Sequence, residues 1–122
     1  MKKLKCHCGN IEAEINISGN LEKFLRCNCS LCKRKGAVMS MVKNEDFKIV
    51  KGEDKIKIYQ FNTKVAKHYF CSECGVQTHN LRRSDPNTYG INVGCIDEIK
   101  PTELFKLKTF INDGQNHIKD RK

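Results

Sequence analysis

Three thiols fall within six residues in Cys27-Asn28-Cys29-Ser30-Leu31-Cys32, and nothing else in the chain constrains its fold as tightly. Three thiolates can occupy three corners of a tetrahedron around a zinc ion and leave the fourth free. A zinc with an open corner is a chemical site, whereas one with four protein ligands is usually a structural staple. Four further cysteines form two close pairs, Cys6/Cys8 and Cys71/Cys74. Cys71-Ser72-Glu73-Cys74-Gly75 has zinc-knuckle spacing, with Gly75 free to take the positive φ that such a turn requires. One knuckle supplies only two ligands and needs a second pair. The partition that fits best is four plus three. Cys6, Cys8, Cys71 and Cys74 make a closed, four-cysteine structural site, and Cys27, Cys29 and Cys32 make a second, local one. A structural zinc contributes on the order of 10 kcal/mol of apparent binding energy to folding. Two Zn2+ per chain are expected, the second site being the one open to partial occupancy.

Metal ligation is favoured over disulfides by the expected compartment. The start, Met1-Lys2-Lys3-Leu4-Lys5, is basic with no apolar stretch behind it, so no signal peptide is expected. No run approaches the roughly 18 apolar residues of a membrane span. A cytoplasmic protein keeps its thiols reduced. Two other readings compete. Cys-x-x-Cys at 71/74 or 29/32 could be a redox pair, but that signature sits beside a βαβ pattern missing here. Seven clustered cysteines as small buried hydrophobes would be a coincidence of spacing.

At 122 residues, one domain over 1–122 is expected. With 39% hydrophobic residues and no Trp, a metal cross-link would compensate for a thin core. The formal charge of +9 suggests nucleic acid, yet it counts every cysteine as neutral. Seven thiolates and two Zn2+ would bring it to about +6. Lysines outnumber arginines, 18 to 5, and the 9 aromatics form no run with basic residues, so nucleic-acid binding is not favoured.

Ile11 to Ile17 alternates strictly, as a half-buried strand does. Ala37–Val42, Phe47–Val50, Lys55–Tyr59, Val65–Phe70 and Thr88–Cys95 read as further strands, with Val76–Asn80 leading out of the knuckle and Gly90 and Gly94 marking bends or a bulge. Lys33-Arg34-Lys35-Gly36 reads as an exposed loop, and Pro101–Phe105 as the only helical turn. Lys106–Ile111 is a candidate last strand before a polar tail. The pattern is mainly β, in short antiparallel strands. Cys95 sits in an apolar strand and reads as a packed thiol, though it could close the open corner. His7 should point away from its neighbours' metal, and His68 reads as a satisfied polar residue. His79 is the candidate outer-shell partner, and His117 lies in the tail.

Cys6-His7-Cys8-Gly9 before a strand, the Cys27–Lys33 stretch and Phe70-Cys71-Ser72-Glu73-Cys74-Gly75 together resemble the glutathione-dependent formaldehyde-activating enzyme family, which includes the centromere-protein-V-like domains. Asn92–Asp97 and Asn112–His117 resemble its later segments. The resemblance implies a β-tent of small coiled antiparallel sheets stapled by zinc, with Cys6, Cys8, Cys71 and Cys74 on the structural zinc. Cys27, Cys29 and Cys32 would hold the catalytic zinc. It also implies a carbon–sulfur lyase that joins glutathione to formaldehyde as S-hydroxymethylglutathione.

A small thiol such as glutathione entering the fourth position would be held as thiolate, because coordination lowers its pKa. It would then attack an aldehyde carbon. Lys33, Arg34 and Lys35 could meet the carboxylates of such a substrate, although an exposed basic loop explains them as well. The residues suggest no general acid or base. The alternative is a zinc-stapled module without catalysis that docks a protein or nucleic acid.

Overall fold

Alternation between Glu12 and Ile15 places Ala13 and Ile15 on one face, both fully buried, with the glutamates between them half-exposed. The computed structural model describes residues 1–112 apart from positions 18, 20, 22, 62, 63, 83 and 84. The segment 113–117 of the family-like tail, with His117, lies outside the described residues.

The elements run β1 (Lys2–Lys5), β2 (Glu12–Ile15), β3 (Leu25–Cys27), α1 (Ser30–Lys35), β4 (Met39–Lys43), β5 (Phe47–Lys51), β6 (Ile56–Tyr59), β7 (Lys67–Cys71), β8 (Gln77–Leu81), β9 (Thr88–Asn92), α2 (Pro101–Lys106) and β10 (Phe110–Asn112). The expected mainly β fold forms, as a three-stranded sheet β1-β2-β5 and a seven-stranded sheet β10-β3-β4-β9-β8-β7-β6. Among the described residues, all pairings are antiparallel except β10 with β3, which is parallel. The core lies between the sheets. Leu4, Ala13, Ile15 and Phe47 come from the small sheet, and Val42 and Ile91 from the large one, with Cys95 and Ile96 beside them. Burying a side chain such as Ile15 or Ile91 is worth about 1.5–3 kcal/mol.

Four details depart from the sequence reading. A strand forms at Lys2–Lys5, with Leu4 alone fully buried. Lys33–Lys35 is not a loop but the second half of α1, which Gly36 closes at φ +63°. Thr88–Cys95 is not one strand: the Asn92 side chain accepts from Gly94 N–H at 3.1 Å and folds Val93–Cys95 into a 3-10 turn. Gly90 marks a close approach instead of a bend, since a Cβ there would run into the Asn80 side chain.

Candidate functional site

Cys6 ends up beside Cys71 because two similar turns face one another. In the first, Gly9 (φ +80°) donates its N–H to the Cys6 carbonyl, and Ile11 N–H points at the Cys6 sulfur, 3.3 Å away. In the second, Gly75 (φ +75°) donates to the Cys71 carbonyl, and Glu73 N–H reaches the Cys71 sulfur at 3.4 Å. The sulfurs of Cys6, Cys8, Cys71 and Cys74 all lie within 4.8 Å of one another. Cys6–Cys8 and Cys8–Cys71 are each 3.6 Å apart. Zn–S bonds of about 2.3 Å in a tetrahedron require sulfurs about 3.8 Å apart, so the donor set fits zinc. An Asn10 backbone hydrogen bond lowers Cys8, but desolvation and the Cys71, Cys6 and Cys74 thiols outweigh it and push it to about 11. Burial raises Cys74, but hydrogen bonds from the Cys8 and Val76 backbone and from the Cys71 and Cys8 thiols draw it down to about 6.

The second cluster is local. Cys27 closes β3, Cys29 caps α1 by accepting Cys32 N–H on its sulfur at 3.3 Å, and Cys32 lies one turn into that helix. Their sulfurs also lie within 4.8 Å of one another, all partly exposed. Among the described residues, no fourth Cys, His, Asp or Glu joins them. Hydrogen bonding from Cys27, then burial and the charge of its neighbours, raises the Cys32 pKa strongly. Three thiols this close need a cation to be ionised together.

A cleft of about 550 Å³ lies beside this cluster, lined by Leu31 and Lys35 of α1 and by His68, Phe70, Val76, Gln77 and Asn92, among others. Of the basic triplet, Lys33 and Arg34 are exposed, and Arg34 donates to the Ser30 carbonyl of its own helix at 2.7 Å. Lys35 turns inward, its ammonium donating to Gln77 Oε1 and standing 3.3 Å from His68 Nδ1. Burial lowers its pKa, opposed by the Cys32, Cys29 and Cys27 thiols, which raise it. An ammonium can only donate, so His68 Nδ1 is the acceptor and its proton sits on Nε2. Burial, then the Lys35 charge, takes His68 down to about 4 and keeps it neutral.

His79 does not serve as an outer-shell partner. It is buried in the core, stacked on Tyr69 with centroids 4.4 Å apart and packed against Phe47 at 4.8 Å. Its Nδ1 shares a hydrogen bond with Thr78 Oγ1 at 2.7 Å, and burial takes its pKa down to about 4. His7 is exposed. Cys95 is a packed core thiol that donates to the Gln77 carbonyl at 3.5 Å, its pKa pushed up to about 12 first by burial, then by Cys6, Cys74 and Asp97. It joins neither sulfur cluster. The Lys35–His68–Gln77 group went unread in the sequence, although Lys35 lies one helical turn beyond Cys32, on the same side.

The fold and these sites define a small mainly β protein with two thiol clusters of metal-binding geometry, one closed and one beside a cleft. A description of the glutathione-dependent formaldehyde-activating enzyme family matches residues 1–112, and the chain belongs to that family. A Fusarium vanettenii protein provisionally named a glutathione-dependent formaldehyde-activating enzyme is 31% identical over 81 residues, 63% of this chain and 43% of that protein. A Colletotrichum graminicola protein with the same provisional name is 31% identical over 80 residues, 62% of this chain and 41% of that protein. The matches thus span under half the length of these relatives. A Rhodobacter sphaeroides protein of known crystal structure is 37% identical and superimposes with a TM-score of 0.82, covering 90% of this chain and 99% of that one. Among the described residues, no helix is long and apolar enough to cross a membrane.

Proposed function

We propose that the protein is a zinc-dependent carbon–sulfur lyase-type enzyme that adds glutathione, or another small thiol, to formaldehyde or a related aldehyde. In this reading residues 1–122 are one domain acting in the cytoplasm. Cys6, Cys8, Cys71 and Cys74 hold a structural zinc, and Cys27, Cys29 and Cys32 hold the catalytic one. The observation that carries the reading is a three-thiol cluster with no fourth ligand among the described residues, beside a cleft of about 550 Å³. A zinc there would supply an open position at which a thiol binds as thiolate, a sulfur nucleophile at neutral pH. The cysteines act as ligands and are not themselves the nucleophile. Leu31, Phe70 and Val76 give the cleft apolar walls, while Lys35 places a positive charge beside it.

The test is NMR exchange between free and thiol-bound formaldehyde in the presence of glutathione, for wild type and Cys32→Ser. Faster exchange with wild type than with Cys32→Ser or buffer is expected. Equal rates in all three would remove the activity and leave the fold as a zinc-stapled binding module.

A further inference from the structure

We infer that Lys35 is the proton donor to the adduct's oxygen, held in place by Gln77 and His68. The inference rests on the reading above and supplies the acid–base group it lacks. Two of the three Lys35 N–H groups are taken up by Gln77 Oε1 and His68 Nδ1, the latter at 3.3 Å. The third remains for an acceptor in the cleft, which Lys35 itself lines. No Asp or Glu is among the cleft-lining residues, and none of the ion pairs of the described residues includes Lys35. A half-buried ammonium without a carboxylate is a positive charge placed for an anion that arrives with the reaction.

That anion is the oxygen formed when the substrate's thiolate attacks the aldehyde. The sulfur lone pair forms the S–C bond, the C=O π pair moves onto oxygen, and the Lys35 Nζ proton passes to that oxygen. The product is a neutral hydroxymethyl thioether and a neutral amine. In reverse, the amine takes the hydroxyl proton, the C–O pair re-forms the carbonyl, and the S–C bond breaks. The oxygen lies one carbon from the sulfur, so the donor must stand close to the site that holds the thiol. Lys35 meets that need, because it lies one turn beyond Cys32 on the same short helix and lines the cleft together with Leu31. The other groups around it are unsuited to the task. His68 is neutral with Nδ1 occupied, Gln77 and Asn92 do not ionise, and Lys33 and Arg34 on its own helix face solvent. Tyr59 lines the cleft from β6.

The test compares Lys35→Met, which removes charge and proton, with Lys35→Arg, which keeps the charge on a group that does not release its proton. Two readouts are taken: glutathione binding to the cobalt-substituted protein, from its sulfur-to-metal absorption, and the formaldehyde exchange rate. Both variants are expected to bind glutathione within about threefold of wild type, and to exchange at least about 100-fold more slowly, the range of general acid–base catalysis. Exchange by Lys35→Arg within tenfold of wild type would reduce Lys35 to a charge and overturn the assignment. Full exchange by Lys35→Met would do so as well, and both outcomes leave the enzyme reading standing. Loss of glutathione binding in both variants would make Lys35 a binding residue and also refute it. Wild type no faster than buffer would refute the enzyme reading and this assignment together.

Discussion

Replacing Cys71 with alanine separates what its sulfur does as packing from what it does as a ligand. Cys71 is fully buried and packs with Cys6 and Ile11 in a small cluster. As packing, removing the sulfur costs about 1 kcal/mol, the value of one buried methylene-sized group. Glu73 N–H then loses its acceptor, at about 1 kcal/mol more. As a ligand, the sulfur would be one of four on a metal that binds only the folded chain. Such binding stabilises by about 4 kcal/mol at a thousandfold excess over Kd, and by about 10 kcal/mol for a structural zinc. Urea unfolding of wild type and Cys71→Ala, each zinc-loaded and each stripped with chelator, yields four free energies. The variant should lose at least about 4 kcal/mol in zinc and about 2 kcal/mol or less in chelator. Equal losses in the two conditions would show that the four sulfurs are packing alone, and the structural-zinc reasoning would fail.

Cys32→Ser should lower the zinc content from about two ions per chain to one and shift the unfolding free energy by less than about 1 kcal/mol, since its cluster joins only residues 27–32; loss of both ions would refute the independence of the sites. Gly52→Ala forces a Cβ against the Asn10 carbonyl at φ +77°, and should cost at least about 2 kcal/mol in urea unfolding; an unchanged midpoint would count against this close approach. For His79 the folded pKa is about 4 against an ordinary 6.5, so between these values the unfolded chain binds more protons. Its contribution is therefore full above about pH 6.5 and is lost as pH falls toward 4, up to about 3 kcal/mol. His79→Phe should flatten that part of the stability–pH curve, and superimposable curves would refute it.

The thiol partition was legible in the sequence because ligand chemistry is written in spacing, and the same holds for the alternation of β2 and the glycines of the two turns. What stayed hidden has physical reasons. A six-residue helix is too short to show a period, and α1 is capped by a cysteine sulfur where Ser, Asp or Asn would signal a cap. Lys33-Arg34-Lys35 reads as solvated surface, yet one helical turn sends only its third member inward. His79 lies in Gln77-Thr78-His79-Asn80, a polar run with no apolar alternation. Only the pairing Tyr69↔His79 and the facing Phe47 ring place it in the core. The parallel partner of β3 comes from the far end of the described chain, beyond any local signal.

The two clusters are linked through one short segment. Chain leaving the Cys71–Cys74 turn forms Gly75, Val76 and Gln77, all of which line the cleft, so the closed cluster fixes the wall facing Lys35. The Gln77 backbone carbonyl is gripped from the core side by Asn92 Nδ2 at 2.8 Å and by the Cys95 thiol at 3.5 Å. Its side chain, on the other side, takes the Lys35 ammonium. Cys95 was the residue best placed to close the three-thiol cluster and end its chemistry. In the fold it instead helps pin the strand whose side chain holds the inward-facing Lys35 cation of that cleft. Among the described residues no fourth ligand joins the second cluster, and the core thiol that could have done so braces the cleft wall instead.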